Sequence, residues 1–320
     1  MNEALWPHVG ALLVATVLAG IGGELFVRGV VGVAQRWALP ELLLAMTVAA
    51  CAPSAPEMTV TIAASASGNS ALAMGDALGS NITNILLILG LSLLFGPLPA
   101  DTRALRWHVA YVLAAPLVTA GLVVDGTLSR WDGSVLWVGF VAWLWFTVTS
   151  GRRTRVQAAT DLVGGMSVRA GLLLARLVAG VGILAVAGDL FAQGGRAMAR
   201  AFDFPDAVVG ATVVALGTSM PELMTTLVSR WRGHHDVGLG TLLGSNLFNG
   251  LAILGTAAVI APVQVPLLPT WIMLLLGAGA VLLVMPYRGE LSRMRGVLML
   301  ACYALYVTAL GVVLGLGDIR

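Results

Sequence analysis

"ALGTSMPELMTTLV", residues 215–228, sets a glycine, a proline and a glutamate (Gly217, Pro221 and Glu222) inside an otherwise apolar segment. A proline inside a helix removes a backbone donor and frees a carbonyl of the preceding turn. Lipid offers no partner for that carbonyl or for a carboxylate. The stretch therefore predicts a polar, protein-lined cavity at membrane depth, and such a cavity needs further polar groups from elsewhere in the chain.

The composition of the whole chain is that of a membrane protein. Of its 320 residues, 58% are hydrophobic and 11% are charged, whereas soluble domains carry about 25% charged residues. The apolar runs are continuous rather than alternating, which disfavours a transmembrane β-barrel. Two cysteines, Cys51 and Cys302, disfavour a disulfide framework and exclude a thiolate metal site by ligand count. We expect an all-α polytopic fold, with Met1–Gly20 in the first span rather than in a signal peptide.

Apolar segments of roughly 20 residues, long enough to cross a bilayer, recur ten times along the chain. The most hydrophilic stretch, 151–169, separates the fifth segment from the sixth. The ten predicted spans cover 8–33, 40–67, 71–95, 105–124, 132–150, 169–200, 205–230, 236–260, 266–286 and 296–316.

The basic residues predict the orientation of these spans. All 18 are arginines, and ten spans divide the loop arginines into two unequal sets. One set defines an arginine-poor face, with Arg130, Arg196, Arg200 and Arg320. The other defines an arginine-rich face, which the excess of positive charge places in the cytoplasm. We therefore expect a multi-pass inner (plasma) membrane protein with both termini outside. The arginine-rich set is Arg36, Arg103, Arg106, Arg152, Arg153, Arg155, Arg169, Arg230, Arg232, Arg288, Arg293 and Arg295.

An internal repeat divides the chain into two halves. Residues 24–90 align without a gap on 189–255 at an offset of 165, with 23 of 67 positions identical. Hydrophobicity alone would match some leucines and valines, but not a shared Pro-Glu pair or "GSNITNILLILG" (79–90) with "GSNLFNGLAILG" (244–255). We expect one membrane repeat in 1–150, a cytoplasmic linker in 151–168 and a second repeat in 169–320.

Each half holds five spans, so the second half must cross the membrane in the opposite sense. Inverted repeats of this kind place two discontinuous helices near the midplane, facing each other across a pseudo-two-fold axis. Pro56-Glu57 and Pro221-Glu222 occupy equivalent positions in the two halves. The two breaks can therefore share one cavity.

The polar groups around the two breaks suit a hard cation. Two carboxylates and freed carbonyls supply the oxygen ligands that Ca²⁺ prefers, and one divalent ion neutralises two negative charges. The predicted ligands are two acids (Glu57, Glu222), two amides (Asn81, Asn246), three hydroxyls (Ser54, Thr218, Ser219) and the carbonyl positions Ala50 and Ala215.

Structural explanations of the same residues remain open. Each Pro-Glu pair could be a packing kink whose protonated acid is hydrogen-bonded to a neighbour. Asparagines in membrane helices also join helices to one another. Asp76, which aligns with Thr241, could add charge at the mouth of the pathway, although a solvated acid at a helix end is the favoured interpretation.

These motifs resemble those of the calcium/cation antiporter superfamily, which includes the sodium/calcium exchangers and their bacterial relatives. The carriers of the resemblance are "GTSMPE" (217–222) and "GSNLFN" (244–249) in the second half, and "APSAPE" (52–57) and "GSNITN" (79–84) in the first. The resemblance implies ten transmembrane helices in two inverted five-helix repeats, the predicted ligands named above, and exchange of Ca²⁺ for Na⁺ by alternating access.

The first repeat departs from the family pattern. Ala52-Pro53 stands where the pattern has Gly-Thr, and Pro53 lacks the hydroxyl that Thr218 supplies. The two half-sites are therefore expected to differ, and the sequence does not show how.

We hypothesise a secondary antiporter that exchanges Ca²⁺ for Na⁺, with no prosthetic group. A Ca²⁺/H⁺ antiporter that uses the same glutamates is the alternative. A channel is disfavoured because channels form rings around an oligomer axis, and an enzyme is disfavoured because no nucleophile–base pair is apparent. The expected partners are the transported ions and the lipid bilayer, not nucleic acid, and a monomer is expected to function.

Overall fold

A computed structural model describes residues 6–37, 39–68, 70–100, 102–161, 169–201, 215–265, 267–286 and 289–315. The described chain is mostly helical, as expected. The predicted start of the seventh span, 205–214, lies outside these residues.

The first half contains eight helices, one π-helical segment and two short strands. In chain order they are α1 (Trp6–Arg36), α2 (Glu41–Met46), α3 (Val48–Cys51), α4 (Ala55–Ala66), α5 (Ser70–Ile82), π1 (Thr83–Leu89), α6 (Gly90–Leu94), β1 (Leu98–Pro99), α7 (Thr102–Leu122), β2 (Thr127–Leu128) and α8 (Arg130–Asp161).

The second half repeats this order within its described residues. The elements are α9 (Ala170–Ala201), α10 (Ala215–Thr218), α11 (Met220–Trp231), α12 (His235–Leu247), π2 (Phe248–Ile253), α13 (Leu254–Ile260), β3 (Val263–Gln264), α14 (Leu267–Leu282), β4 (Glu290–Leu291) and α15 (Arg293–Gly315).

Seven helical stretches within the described residues are long and apolar enough to cross a bilayer, and α14 is a shorter apolar helix. They coincide with seven of the ten predicted spans. The stretches are Trp6–Arg36, Glu41–Ala66, Ala73–Leu94, Leu105–Leu122, Arg130–Ser150, Ala170–Phe191 and His235–Ile260.

The predicted linker is partly helical. Helix α8 runs on to Asp161, so residues 151–161 extend this helix beyond the apolar stretch that ends at Ser150. Residues 162–168 lie outside the description.

Two pairs of short strands join loops of the first half to loops of the second. Strand β1 pairs with β4, and β2 pairs with β3, both antiparallel. Each pair therefore takes one strand from each half. The first pair lies in loops of the arginine-rich face and the second in loops of the arginine-poor face, so the pairing respects the predicted division.

Other polar contacts between the two halves follow the same division. Arg232 pairs with Glu24, which also binds Arg28 at 2.5 Å, and Arg230 donates to the carbonyl of Gly96 at 2.7 Å. On the arginine-poor face, Arg130 donates to the carbonyl of Ile260 at 3.3 Å.

Helices α1 and α9 form an antiparallel pair with a glycine-lined interface. A side-chain carbon at Gly22 would meet Leu184, and one at Gly32 would meet Leu173. On α9, Gly180 lies directly against the backbone of Phe26. The pair also contacts α10 and α11, which form the broken helix of the second half.

Candidate ion-binding site

Both predicted helix breaks are present. Helix α3 ends at Cys51 and α4 begins at Ala55, and α10 ends at Thr218 before α11 begins at Met220. Pro56 and Pro221 lie in the first turn of the helix that follows each break, where their missing amide hydrogen costs nothing.

Each break places a glutamate at a helix start. Glu57 lies in the first turn of α4 and Glu222 in the first turn of α11. The free amides and the dipole at a helix N-terminus favour negative charge. Both side chains are fully buried, so the helix starts supply part of the stabilisation that water would otherwise give.

A serine from each half donates a hydrogen bond to the buried glutamate of the other half. The Ser54 hydroxyl, from the first break, donates to Glu222 Oε1 at 2.8 Å. The Ser219 hydroxyl, from the second break, donates to Glu57 Oε1 at 3.4 Å. Since each serine lies three residues before its own half's glutamate, this exchange brings both breaks into one buried pocket.

One oxygen of each carboxylate remains available. Glu57 Oε2 and Glu222 Oε2 are buried and have no hydrogen-bond partner among the residues that the structure describes. A buried oxygen of this kind is costly unless something binds it. These two carboxyl oxygens are therefore the atoms of the pocket that could contact a cation.

The asparagines Asn81 and Asn246, which align in the sequence repeat, bind each other's backbone. Asn81 donates to the backbone carbonyl of Asn246 at 3.2 Å, and Asn246 donates to that of Asn81 at 3.1 Å. The side-chain oxygen of Asn246 also accepts from Asn84 at 3.1 Å. Asn246 is thus fully used in joining helices, whereas Asn81 keeps an unpartnered oxygen within the described chain.

The ligand set predicted from the sequence omitted four polar residues that belong to the same motif as these asparagines. Asn84 and Asn249 are fully buried at the starts of the two π-helical segments, a distortion that is frequent at functional sites. Asn84 Oδ1, both amide atoms of Asn249 and the hydroxyl of Ser80 lack partners among the described residues. Ser245 donates to Glu222 Oε1 at 3.2 Å. The signal was available, since all four belong to the repeated Gly-Ser-Asn-x-x-Asn element.

The remaining predicted ligands lie on the short helices that precede the two breaks. The carbonyl of Ala50 accepts long hydrogen bonds from the Ser54 amide at 3.4 Å and the Ser245 hydroxyl at 3.3 Å. Thr218 is buried at the end of α10. Ala215 is the first residue of α10.

Asp76 is a buried acid and not a solvated one. It is only 7% exposed, and the Thr61 hydroxyl donates to its Oδ2 at 3.3 Å. The prediction of a solvated helix end is therefore wrong, because Asp76 lies in the middle of α5, which packs against α4.

Comparison with known proteins identifies the class of molecule that holds this pocket. The model of the family described as sodium/calcium exchanger protein matches residues 7–149 and 172–312. The chain belongs to the sodium/calcium exchanger family. It is accordingly a multi-pass membrane protein of a transporter family whose members are Ca²⁺/cation antiporters, not enzymes.

Relatives and solved structures agree with this assignment. The chain is 34% identical to inner membrane protein YrbG of Escherichia coli over 79% of its own length and 80% of the relative's. It is 23% identical to sodium/calcium exchanger MaX1 of Methanosarcina acetivorans, over 93% and 97% of the two chains. The structure of the sodium-calcium exchanger NCX_Mj, soaked with Na⁺ and Ca²⁺, matches with a TM-score of 0.81 and 28% identity, over 95% of this chain and 98% of that one.

Proposed function

We propose that this protein exchanges Ca²⁺ for Na⁺ by alternating access through the pocket between the two helix breaks. The observation that carries the proposal is the reciprocal pairing in which Ser54 binds Glu222 and Ser219 binds Glu57. This pairing brings two fully buried carboxylates from opposite halves into one place, where a cation is their natural counter-charge.

The oxygens around the pocket fit a Ca²⁺ ion, which takes six to eight oxygen ligands. The two carboxylates, Asn81, Asn84 and Asn249 offer oxygens without partners among the described residues. Asn246 is the weakest of the predicted ligands because its oxygen already accepts a hydrogen bond. We include the hydroxyls of Ser54, Ser80, Thr218, Ser219 and Ser245 and the carbonyls of Ala50 and Ala215 in the ligand set.

The charge of the pocket couples the two ion fluxes. Two glutamates give a charge of −2, and moving that charge through the membrane interior without a cation is costly. The protein should therefore change its open side only after binding one Ca²⁺ or two or more monovalent ions. Exchange rather than leak follows from this requirement.

We further propose ten spans in two inverted repeats, in an inner membrane, with both termini outside. Three features support this arrangement. The helix breaks and the π-helical starts Thr83 and Phe248 recur at the offset of 165, the strand pairs cross between the halves at opposite rims, and the family model matches a stretch of each half.

Substitution of the glutamates tests the function. In everted vesicles with a Na⁺ gradient at clamped pH, Glu57→Gln and Glu222→Gln should each abolish most uptake of radiolabelled Ca²⁺, because either change removes half of the pocket's charge. Glu290→Gln is the control, since Glu290 is an exposed strand residue. Normal transport by either pocket variant at normal membrane abundance would contradict the proposal.

The same vesicles separate Na⁺ coupling from proton coupling. Carboxylates accept protons as well as Na⁺, so the pocket supports a Ca²⁺/H⁺ antiporter as the second candidate. Uptake that follows a pH gradient and ignores a Na⁺ gradient would favour that candidate over ours.

A further inference from the structure

Asp76 is a third buried carboxyl group that the proposed exchange does not use. It is 7% exposed, and the hydroxyl of Thr61 is a single hydrogen-bond donor to it, at 3.3 Å. No ion pair to Asp76 is found among the residues that the structure describes. A carboxylate at this depth without a counter-charge is costly, so Asp76 needs neutralisation by an ion from solution.

Asp76 lies close to the pocket. Its partner Thr61 follows Glu57 by four residues on α4, and residues at this spacing share one face of a helix. The two side chains are therefore about 6 Å apart along the helix axis. Both are fully buried, and α4 packs against α5, which carries Asp76.

The Asp76–Thr61 pair lies on one side of the pocket. Helix α5 begins at Ser70, in the loop between the second and third predicted spans, which belongs to the arginine-poor face. It also packs against strand β3, which belongs to the same face. A cation that approaches from this face would meet Asp76 before it meets Glu57.

The equivalent position in the second half, on the approach from the arginine-rich face, has no acidic side chain. At the repeat offset of 165, Thr61 aligns with Thr226 and Asp76 aligns with Thr241. Both threonines are buried, and their hydroxyls lack partners within the described residues. The two halves thus share a buried threonine at the first position, but only the first half has an acid, Asp76, at the second.

The elements packed most closely against α5 bring few other charges. Helix α4 brings Glu57, and α12 brings His235 and Asp236 in its first turn, at the arginine-rich face. Tyr306 of α15 lies beside Gly79. Elements α10, α13, α14, β3, π1 and π2 contain no titratable side chain. No arginine on these described elements competes for Asp76.

We propose that Asp76 and Thr61 form an accessory site for one monovalent cation, Na⁺ or a proton, on the approach from the arginine-poor face. One carboxylate and one hydroxyl carry a single negative charge. A monovalent ion neutralises that charge, whereas a divalent ion would leave an excess positive charge in a low-dielectric region. The inference rests on the proposed exchange function and adds a difference between the faces in apparent affinity for the monovalent ion.

The test is a sided titration with the full-length protein in proteoliposomes of known orientation. Radiolabelled Ca²⁺ flux is measured while Na⁺ is varied on one face at a time. Asp76→Asn should raise the half-activating Na⁺ concentration on the arginine-poor face about tenfold, equivalent to one ordinary ion contact. The arginine-rich face should change by less than about twofold. Asp76→Glu should restore the response of the unmodified protein, because it keeps the charge.

A second variant guards against loss of folding. Thr61→Val removes the hydroxyl and keeps the shape, so it should shift the same face in the same direction by a smaller factor. If Asp76→Asn does not accumulate in the membrane, Thr61→Val decides the matter. Equal shifts on both faces would overturn the accessory site, and so would the absence of any change on the arginine-poor face in both this Na⁺ titration and the pH series that follows.

A pH series identifies the occupant. If the ion is Na⁺, the tenfold shift persists at each pH; if it is a proton, Asp76→Asn leaves the Na⁺ response unchanged and removes a pH-dependent component from that face alone. Absence of both patterns overturns the proposal.

The variant Glu222→Gln distinguishes failure of the accessory site from failure of the proposed exchange function. If it is inactive while Asp76→Asn behaves as the unmodified protein does on both faces, only the accessory site fails.

Discussion

Carboxamide side chains at the centre of the molecule divide into two groups at the scale of single residues. Asn246 donates one hydrogen bond and accepts another through its side chain, so it joins helices. Asn249 is equally central, but neither of its amide atoms has a partner in the described chain. The first group contributes to stability, and the second is free to contact an ion.

Alanine substitutions should separate the two groups. Asn249→Ala should reduce Ca²⁺ transport at least about tenfold, since a hydrogen bond or contact to a charged group contributes roughly 1.5–3 kcal/mol, and it should leave thermal stability in detergent nearly unchanged. Asn246→Ala loses two neutral hydrogen bonds, so the free energy of unfolding should fall by about 1–3 kcal/mol. The opposite pattern, with Asn249→Ala unstable and Asn246→Ala inactive but stable, would contradict this division.

Residue types and their repetition are enough to predict the pocket, but not the partners of each atom. The two Pro-Glu pairs and the Gly-Ser-Asn elements are enough to predict which segments meet around the two glutamates. Asn81 and Asn84 are three positions apart in one motif, and sequence offers no means to tell which amide is used in packing. The burial of Asp76 is missed for the same reason, since hydropathy does not show that the neighbouring helix α4 packs against α5 and brings Thr61 to the acid.

Helix packing around the pocket depends on one glycine of the repeat and not on its equivalent. A side-chain carbon at Gly244 would lie 2.3 Å from the carbonyl oxygen of Met46 and 2.5 Å from the side chain of Ala50. At Gly79 the nearest atoms are 3.9 Å away, on Met273, and 4.0 Å away, on Tyr306. Helix α12 therefore touches the first break directly, whereas α5 has room.

This asymmetry gives a matched pair of variants. Gly244→Ala should destabilise the protein by about 1–3 kcal/mol, as overpacked cores do, and should reduce transport because it displaces Met46 and Ala50, and with Ala50 a proposed carbonyl ligand. Gly79→Ala should be neutral or slightly stabilising, since alanine favours a helix over glycine by up to about 1 kcal/mol. Thermal unfolding in detergent together with Ca²⁺ flux measures both effects. Equal losses in the two variants would refute the difference in packing.

Helical stretches are largely predictable from the apolar runs, and their internal irregularities are only partly so. The prolines indicate the breaks at Ser54 and Ser219. The π-helical segments at Thr83 and Phe248 carry no proline or other signal of their own, because they depend on packing against neighbouring helices. The extension of α8 to Asp161 is also missed, since its last turns are hydrophilic and span prediction stops where hydropathy falls.

Contacts between loops give the whole molecule two distinct faces. Each described contact between loops of different spans joins loops that the arginine distribution places on one side. The division of loops into two sets is thus recoverable from sequence, because positive charge is excluded from one side during insertion. The strand pairs are not recoverable, since two-residue strands leave no periodic pattern.

Thiol labelling tests which face is cytoplasmic. In a background with Cys51→Ser and Cys302→Ser, Asp125→Cys should react with a membrane-impermeant maleimide in intact cells, because Asp125 is exposed beside β2 on the arginine-poor face. Glu290→Cys, exposed in β4 on the other face, should react only in everted vesicles. The reverse accessibility would mean that the orientation is inverted.

The strand pairs have a mechanical consequence. They tie α7 and α14 at both ends of the molecule, and α6, α8, α13 and α15 at one end each. Among the described elements, no strand adjoins α1 or α9, and the ion pair between Arg232 and Glu24 joins α1 to the end of α11 instead. We therefore expect the α1–α9 pair to move more readily against this frame than α7 or α14 does.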